Sequence, residues 1–114
     1  MCDNNDLLTA GDTWLKTYVG PVLTSPAFQK DGVLIVVWDE AEETDDTNGG
    51  GHVMMILAGP MVKPAFQTGT LYQDQSLLRF ICESLHLPTL PGAAQTAPPM
   101  DEFLINPPVR TTAP

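Results

Sequence analysis

Apolar residues recur along the chain with two different periods, and these mark the candidate elements. Residues 12–23 place Trp14, Leu15, Tyr18, Val19, Val22 and Leu23 at helical spacing, which predicts an amphipathic helix. Asp12 stands where an N-cap would. Gly20-Pro21 is expected to kink or split the helix, because proline lacks an N–H and its ring crowds the carbonyl four residues back. Ser25-Pro26 favours a turn near its end. The same period returns over residues 75–85 through Leu77, Leu78, Ile81, Cys82 and Leu85, with Asp74 as a candidate cap.

Two other stretches are continuous apolar runs. Residues 33–38, Val-Leu-Ile-Val-Val-Trp, follow Asp31-Gly32. They predict a strand buried on both faces, as parallel sheets contain. Residues 53–58, Val-Met-Met-Ile-Leu-Ala, form a second run closed by Gly59-Pro60. Between them, residues 40–51 are polar and read as a loop. After Pro88 the chain is rich in Pro, Ala and Thr up to residue 99. Met100 to Leu104 predict a single helical turn docked on the body. Residues 1–105 thus read as one segment and Asn106 to Pro114 as an extended tail, with no internal repeat.

The order helix, strand, loop, strand, helix, tail predicts an α/β layer structure. Two strands leave long unpaired edges. The simplest completion is a set of further strands upstream of this sequence.

Composition narrows the function classes. The chain has 114 residues and is 43 % hydrophobic and 17 % charged, within the globular range. Its formal net charge is −9, from 14 acidic and 5 basic residues. No basic patch is present to neutralise phosphates, so no nucleic acid is expected as a partner. An acidic chain suits a divalent cation, and a bound cation reverses the local field and attracts a phosphate ester. No apolar run reaches the roughly 18–20 residues that span a bilayer. Residues 1–6 show no basic start and no apolar stretch, so no secretory leader is read there. The two cysteines, Cys2 and Cys82, are too far apart for a disulfide framework or a zinc site. Cys82 reads as a buried thiol, and Cys2 is free to pair with something outside this chain.

Candidate chemistry gathers around the two apolar runs. Trp38-Asp39-Glu40 closes the first, and ligands of open α/β sheets bind just beyond the carboxyl ends of strands. Two adjacent carboxylates repel each other there unless a cation with a taste for hard oxygen relieves them. Gly49-Gly50-Gly51-His52 opens the second run. Glycines permit positive φ and close backbone approach, and a neutral imidazole is a metal ligand. From residues alone, Asp39-Glu40 opening a solvated loop and His52 ending a flexible linker are the readings to beat. Asp45 and Asp46 lack the alternating ligands, central glycine and closing glutamate of a calcium loop, and read as a solvated acidic loop. His86 reads as structural or exposed, and Arg79 as the partner of a nearby carboxylate.

Three segments resemble a known family. Gly11-Asp12-Thr13-Trp14-Leu15, then Val36-Val37-Trp38-Asp39-Glu40 with Gly50-Gly51-His52-Val53, then Tyr72 through Arg79 with Ser76-Leu77-Leu78-Arg79, are similar in order and spacing to the C-terminal third of the phosphoesterase family of bacterial acid phosphatases and phospholipases C. That family belongs to the alkaline-phosphatase superfamily. The Pro-Gly-Ala-Ala stretch at residues 91–94 is similar to its C-terminal segment. The resemblance implies the C-terminal part of an alkaline-phosphatase-like α/β/α sandwich with a mostly parallel sheet. It implies metal-assisted hydrolysis of phosphate mono- or diesters, with a phosphate ester as substrate and a divalent metal ion as cofactor. Asp39 and Glu40 match the family's Trp-Asp-Glu metal positions, and His52 matches its Gly-Gly-His histidine. Many relatives carry a histidine where Asp74 stands, so Asp74 is a possible further ligand or only a helix cap. The family's nucleophile lies upstream, and nothing in this chain replaces it, so no catalytic residue is assigned and the chain alone is expected to be inactive. Relatives are often extracellular or periplasmic. The competing expectation is a non-catalytic acidic binding module derived from that fold.

Overall fold

A computed structural model describes residues 5–108. Cys2 and the end of the tail, residues 109–114, lie outside the described residues. The chain divides into two compact units, Met1–Val62 and Lys63–Pro114.

The first unit opens with helix α1, Asn5–Trp14, which passes through a π-helical turn, Leu15–Val19, into α2, Gly20–Leu23. The expected disturbance at Gly20-Pro21 takes the form of that π turn. Pro21 cannot donate to Thr17 and its ring would crowd that carbonyl. The Gly20 N–H reaches back to the Leu15 carbonyl instead, a widening typical of π-bulges. Asp12 does not cap a helix. It lies inside α1, where its carboxylate accepts from Lys16 Nζ at 2.8 Å across one turn. The helix starts earlier than the periodic residues suggested, since Leu7, Leu8 and Ala10 favour helix as well. Ser25 then caps α3, Pro26–Asp31, by accepting the Phe28 N–H, with Pro26 at the first helical position.

Both apolar runs become strands: β1, Leu34–Val37, and β2, Met55–Ala58. They pair antiparallel, with Leu34 opposite Ala58 and Val37 opposite Met55. A loop can join antiparallel neighbours directly, whereas parallel ones require a crossover. Such a pair is also found at the edges of mostly parallel sheets. The strands are not buried on both faces: Val37 is 40 % exposed and Ile56 47 %. Two strands of four residues cannot cover both faces of their own sheet. At the end away from the connecting loop, a Cβ on Gly59 would run into the Gly32 carbonyl oxygen, and the Phe28 ring lies over both glycines. This packs α3 against the start of β1.

The second unit is built on α4, Asp74–Ser84, with Ser76, Phe80 and Cys82 buried. Cys82 is a buried free thiol, as its place in the apolar stripe implied. Asp74 does not cap α4. Gln73 occupies the cap position, and Asp74 follows in the first turn, where a negative charge complements the helix dipole. The Pro- and Ala-rich stretch is ordered into a 3₁₀ turn, Gly92–Gln95, that packs on α4. Ala94, Ala97 and Met100 are buried with Phe80. Arg79 pairs with Glu83 at 2.8 Å and donates to the Ala97 carbonyl at 2.6 Å, tying helix to turn.

A second 3₁₀ turn, Asp101–Phe103, occupies the place of the expected docking turn. Phe103 stacks edge-on against Phe66 and lies beside Tyr72. Tyr72 Oη donates to Glu102 at 2.7 Å across 30 residues of sequence. Burial, then that hydrogen bond, pushes the Tyr72 phenol up to about 12, and the same bond holds the Glu102 carboxyl below its ordinary range. The fold favours the neutral phenol. Its contribution to stability is therefore complete below the ordinary value of 10 and is lost as pH rises to about 12. Glu102 contributes above the ordinary carboxylate range and loses that contribution as the pH falls through it. The chain has two tyrosines, so a Tyr18→Phe variant isolates Tyr72. Its phenolate absorbance should rise with a midpoint near 12, and Glu102→Gln should lower that midpoint. A midpoint at 10 in the Tyr18→Phe chain would contradict the contact.

The end of α4 explains His86. The Leu87 N–H reaches the Cys82 carbonyl at 2.9 Å and the His86 N–H reaches Glu83 at 3.0 Å. This is the Schellman pattern, with His86 at the position that wants a left-handed residue. His86 has φ +53 and is exposed. Glycine takes that conformation without the Cβ penalty. His86→Gly should therefore stabilise the chain by about 0.5–1 kcal/mol. The check is a higher urea midpoint at unchanged slope. Among the described residues, no helix is long and apolar enough to cross a membrane.

Candidate functional site

The hairpin β1–β2 carries the candidate ligands where its connecting loop leaves β1 and returns to β2. Beyond Val37 the ladder continues with the Trp38 N–H donating to the Met54 carbonyl at 3.2 Å. Extending the same register sets Asp39 across from Val53 and Glu40 across from His52. The register persists one step further, because a Cβ added to Gly51 would strike the Cβ of Ala41. The topology thus brings Asp39, Glu40 and His52 to one mouth. All three are exposed.

Asp39 sits at a bend, and its Oδ1 accepts the Glu40 N–H at 3.1 Å. Adjacent residues of extended chain project to opposite sides. Glu40, not Asp39, therefore shares a side with His52 wherever the chain stays extended. Among the described residues, no group of three or more His, Cys, Asp and Glu side chains is close enough to hold one ion. The donors fit a divalent cation in kind, as carboxylate oxygens with an imidazole nitrogen. They offer part of a coordination shell, and water or groups from elsewhere would complete it. Asp74 belongs to the second unit, exposed at the start of α4.

The connecting residues 38–54 exceed the roughly 12–15 residues usual for a structureless loop, and they are not structureless. The Asp45 N–H donates to the Glu42 carbonyl at 2.8 Å. A 3₁₀ turn, Thr47–Gly49, follows, with Asn48 at φ +54 and Gly49 at φ +87. Asp45, which read as part of a solvated loop, accepts the Thr47 N–H at 3.0 Å and the His52 N–H at 2.9 Å. Hydrogen bonds from the Thr47 side chain, then from the backbone N–H groups of His52 and Thr47, hold its carboxyl down at about 2. The signal for the nearer half was present in Asp45-Asp46-Thr47, since an aspartate commonly accepts the N–H two residues on. The bond to His52 spans seven residues, and no local pattern announces it.

Elsewhere in the first unit, a shallow groove lies on the helical stretch between Thr9 and Tyr18, where the Trp14 and Tyr18 rings lie tilted to each other with centroids 5.2 Å apart. None of the three candidate ligands lines it. No protein-family model, no curated protein and no solved structure matches this chain.

Proposed function

We propose that the chain is the C-terminal part of a metal-dependent phosphoesterase hydrolysing phosphate mono- or diesters. It contributes Asp39, Glu40 and His52 to a divalent-cation site, with Asp74 a possible further ligand. One observation carries this reading: the hairpin register that sets the Asp39-Glu40 pair and His52 at one strand mouth. The ordered motifs that resemble the acid-phosphatase and phospholipase C family support it as well. So does the half-exposed state of β1 and β2, which fits a sheet completed by further strands.

The carboxylates would bind the ion through hard oxygens and His52 through its imidazole. Such an ion, when bound, polarises a phosphoryl oxygen and offsets the charge that develops on it. The nucleophile comes from outside this chain, so the isolated chain binds a cation without turning over substrate.

Calorimetric titration of the chain with Mn²⁺, Zn²⁺ and Ca²⁺ tests this. Wild type should bind at least one of them, and Asp39→Ala combined with His52→Ala should weaken that binding by about tenfold or more. Unchanged affinity in the double variant removes the proposed site. Hydrolysis of p-nitrophenyl phosphate should stay at background, and turnover by the isolated chain would refute the missing nucleophile. The net charge of −9 and the absence of a converged three-ligand group among the described residues favour a second reading, a non-catalytic acidic binding module. A wild-type chain that binds none of the three cations selects it.

A further inference from the structure

The geometry points to Asp45 as the positioning residue of the hairpin mouth. It holds His52 opposite Glu40 through the backbone and is not itself a ligand. This inference rests on the cation-site reading above and adds to it a residue outside the resembling motifs.

The problem Asp45 solves is visible in the backbone. On the β1 side the ladder holds the chain up to Trp38. On the other side, Gly49, Gly50 and Gly51 precede His52, and glycines order at a high entropic cost. Nothing in their own side chains fixes where His52 lies. Asp45 fixes it with one carboxylate. Oδ1 takes the Thr47 N–H and Oδ2 takes the His52 N–H, which clamps the intervening turn at both ends. The clamp needs close approach. Gly51 has φ +80, and a Cβ there would meet both the Ala41 side chain and the Asp45 carbonyl oxygen.

Each Asp45 oxygen already serves an N–H, so binding a cation directly would mean giving up or sharing those bonds. Asp39, Glu40 and His52 are exposed at the rim, although Asp39 Oδ1 also accepts one N–H, that of the adjacent Glu40. The division of labour is therefore between rim residues that meet the ion and one loop residue that sets the rim.

The test uses the full chain, isotopically labelled, as wild type, Asp45→Ala, Asp45→Asn and Asp46→Ala. Without metal, the His52 amide in Asp45→Ala should exchange about tenfold faster or more, while the amides of β1 and β2 keep their protection. The close contact between Gly51 and Ala41 should disappear in the same variant. Asp45→Asn keeps one neutral acceptor and should fall between, and Asp46→Ala should match wild type. With Zn²⁺ as the probe, Asp45→Ala should bind about tenfold more weakly, and the wild-type His52 amide should stay protected at saturation.

Unchanged His52 protection in Asp45→Ala overturns the inference. Loss of that protection when Zn²⁺ binds wild type also overturns it, because Asp45 would then be a ligand. Should Asp45→Ala also lose the strand amides, Asp45→Asn decides, and wild-type protection of His52 in it counts against the clamp. If wild type binds no Zn²⁺, Mn²⁺ or Ca²⁺, the cation reading fails by itself, and the metal-free exchange still judges whether Asp45 places His52.

Discussion

Phe80→Ala is expected to be the most damaging single substitution in the second unit, costing about 3–5 kcal/mol. Phe80 is 3 % exposed, and the residues buried with it include Ala94, Ala97 and Met100, the last at 0 %. Two of the residues buried in the same unit are alanines, which have no rotatable side chain to swing into a vacated volume. A cavity that cannot collapse lies at the costly end of the range. The loss also compares with the whole stability of a small domain, about 5–15 kcal/mol. A second effect adds to it. The Arg79 guanidinium reaches the Ala97 carbonyl only while α4 lies close to the 3₁₀ turn. Amide exchange along α4 should rise steeply in the variant. The two tryptophans, Trp14 and Trp38, lie in the first unit, so their fluorescence reports on a different region of the chain. Phe80→Leu, closer in volume, should cost under about 1.5 kcal/mol. An alanine variant whose α4 amides keep wild-type protection would show that Phe80 does not anchor the unit.

Local pattern found both strands, α4 and the last 3₁₀ turn, and missed α3 and the turns Thr47–Gly49 and Gly92–Gln95. The apolar runs at 33–38 and 53–58 became β1 and β2 within two residues of their ends, and the periodic residues 75–85 became α4. Arg79 with Glu83 lies within one helical turn, so its pairing was legible from spacing. What stayed hidden depends on partners distant in sequence. Strand direction is set by which strands meet, and residue composition does not encode it. The exposure of Val37 and Ile56 depends on what covers the sheet, which the run itself cannot state. Asp12 illustrates a different limit: a cap and an interior i,i+4 partner use the same residue, and only the upstream turn tells them apart. At the candidate site, the two runs alone set Asp39, Glu40 and His52 at the ends of one loop. The carboxylate that closes that loop spoke only through a bond seven residues long.

Gly51→Ala should disrupt the hairpin mouth far more than Gly49→Ala, although the two glycines have similar positive φ. Gly49 has φ +87 and nothing within contact of a new Cβ, whereas Gly51 has φ +80 with the Ala41 side chain and the Asp45 carbonyl oxygen in the way. Alanine at residue 49 therefore meets dihedral strain alone, about 1 kcal/mol. Alanine at residue 51 adds a clash with backbone that cannot yield without moving Asp45, so its total cost should reach about 2–3 kcal/mol. The displaced backbone is the one whose neighbouring N–H, on His52, Asp45 receives at 2.9 Å. Stability and cation affinity should consequently fall together in Gly51→Ala, whereas Gly49→Ala should lose a little stability and keep its affinity. Urea midpoints and Zn²⁺ titrations of the two variants measure both. Equal losses at the two positions would mean that the close approach of residues 41, 45 and 51 does not exist in solution, and the hairpin would then have no fixed mouth at which to gather ligands.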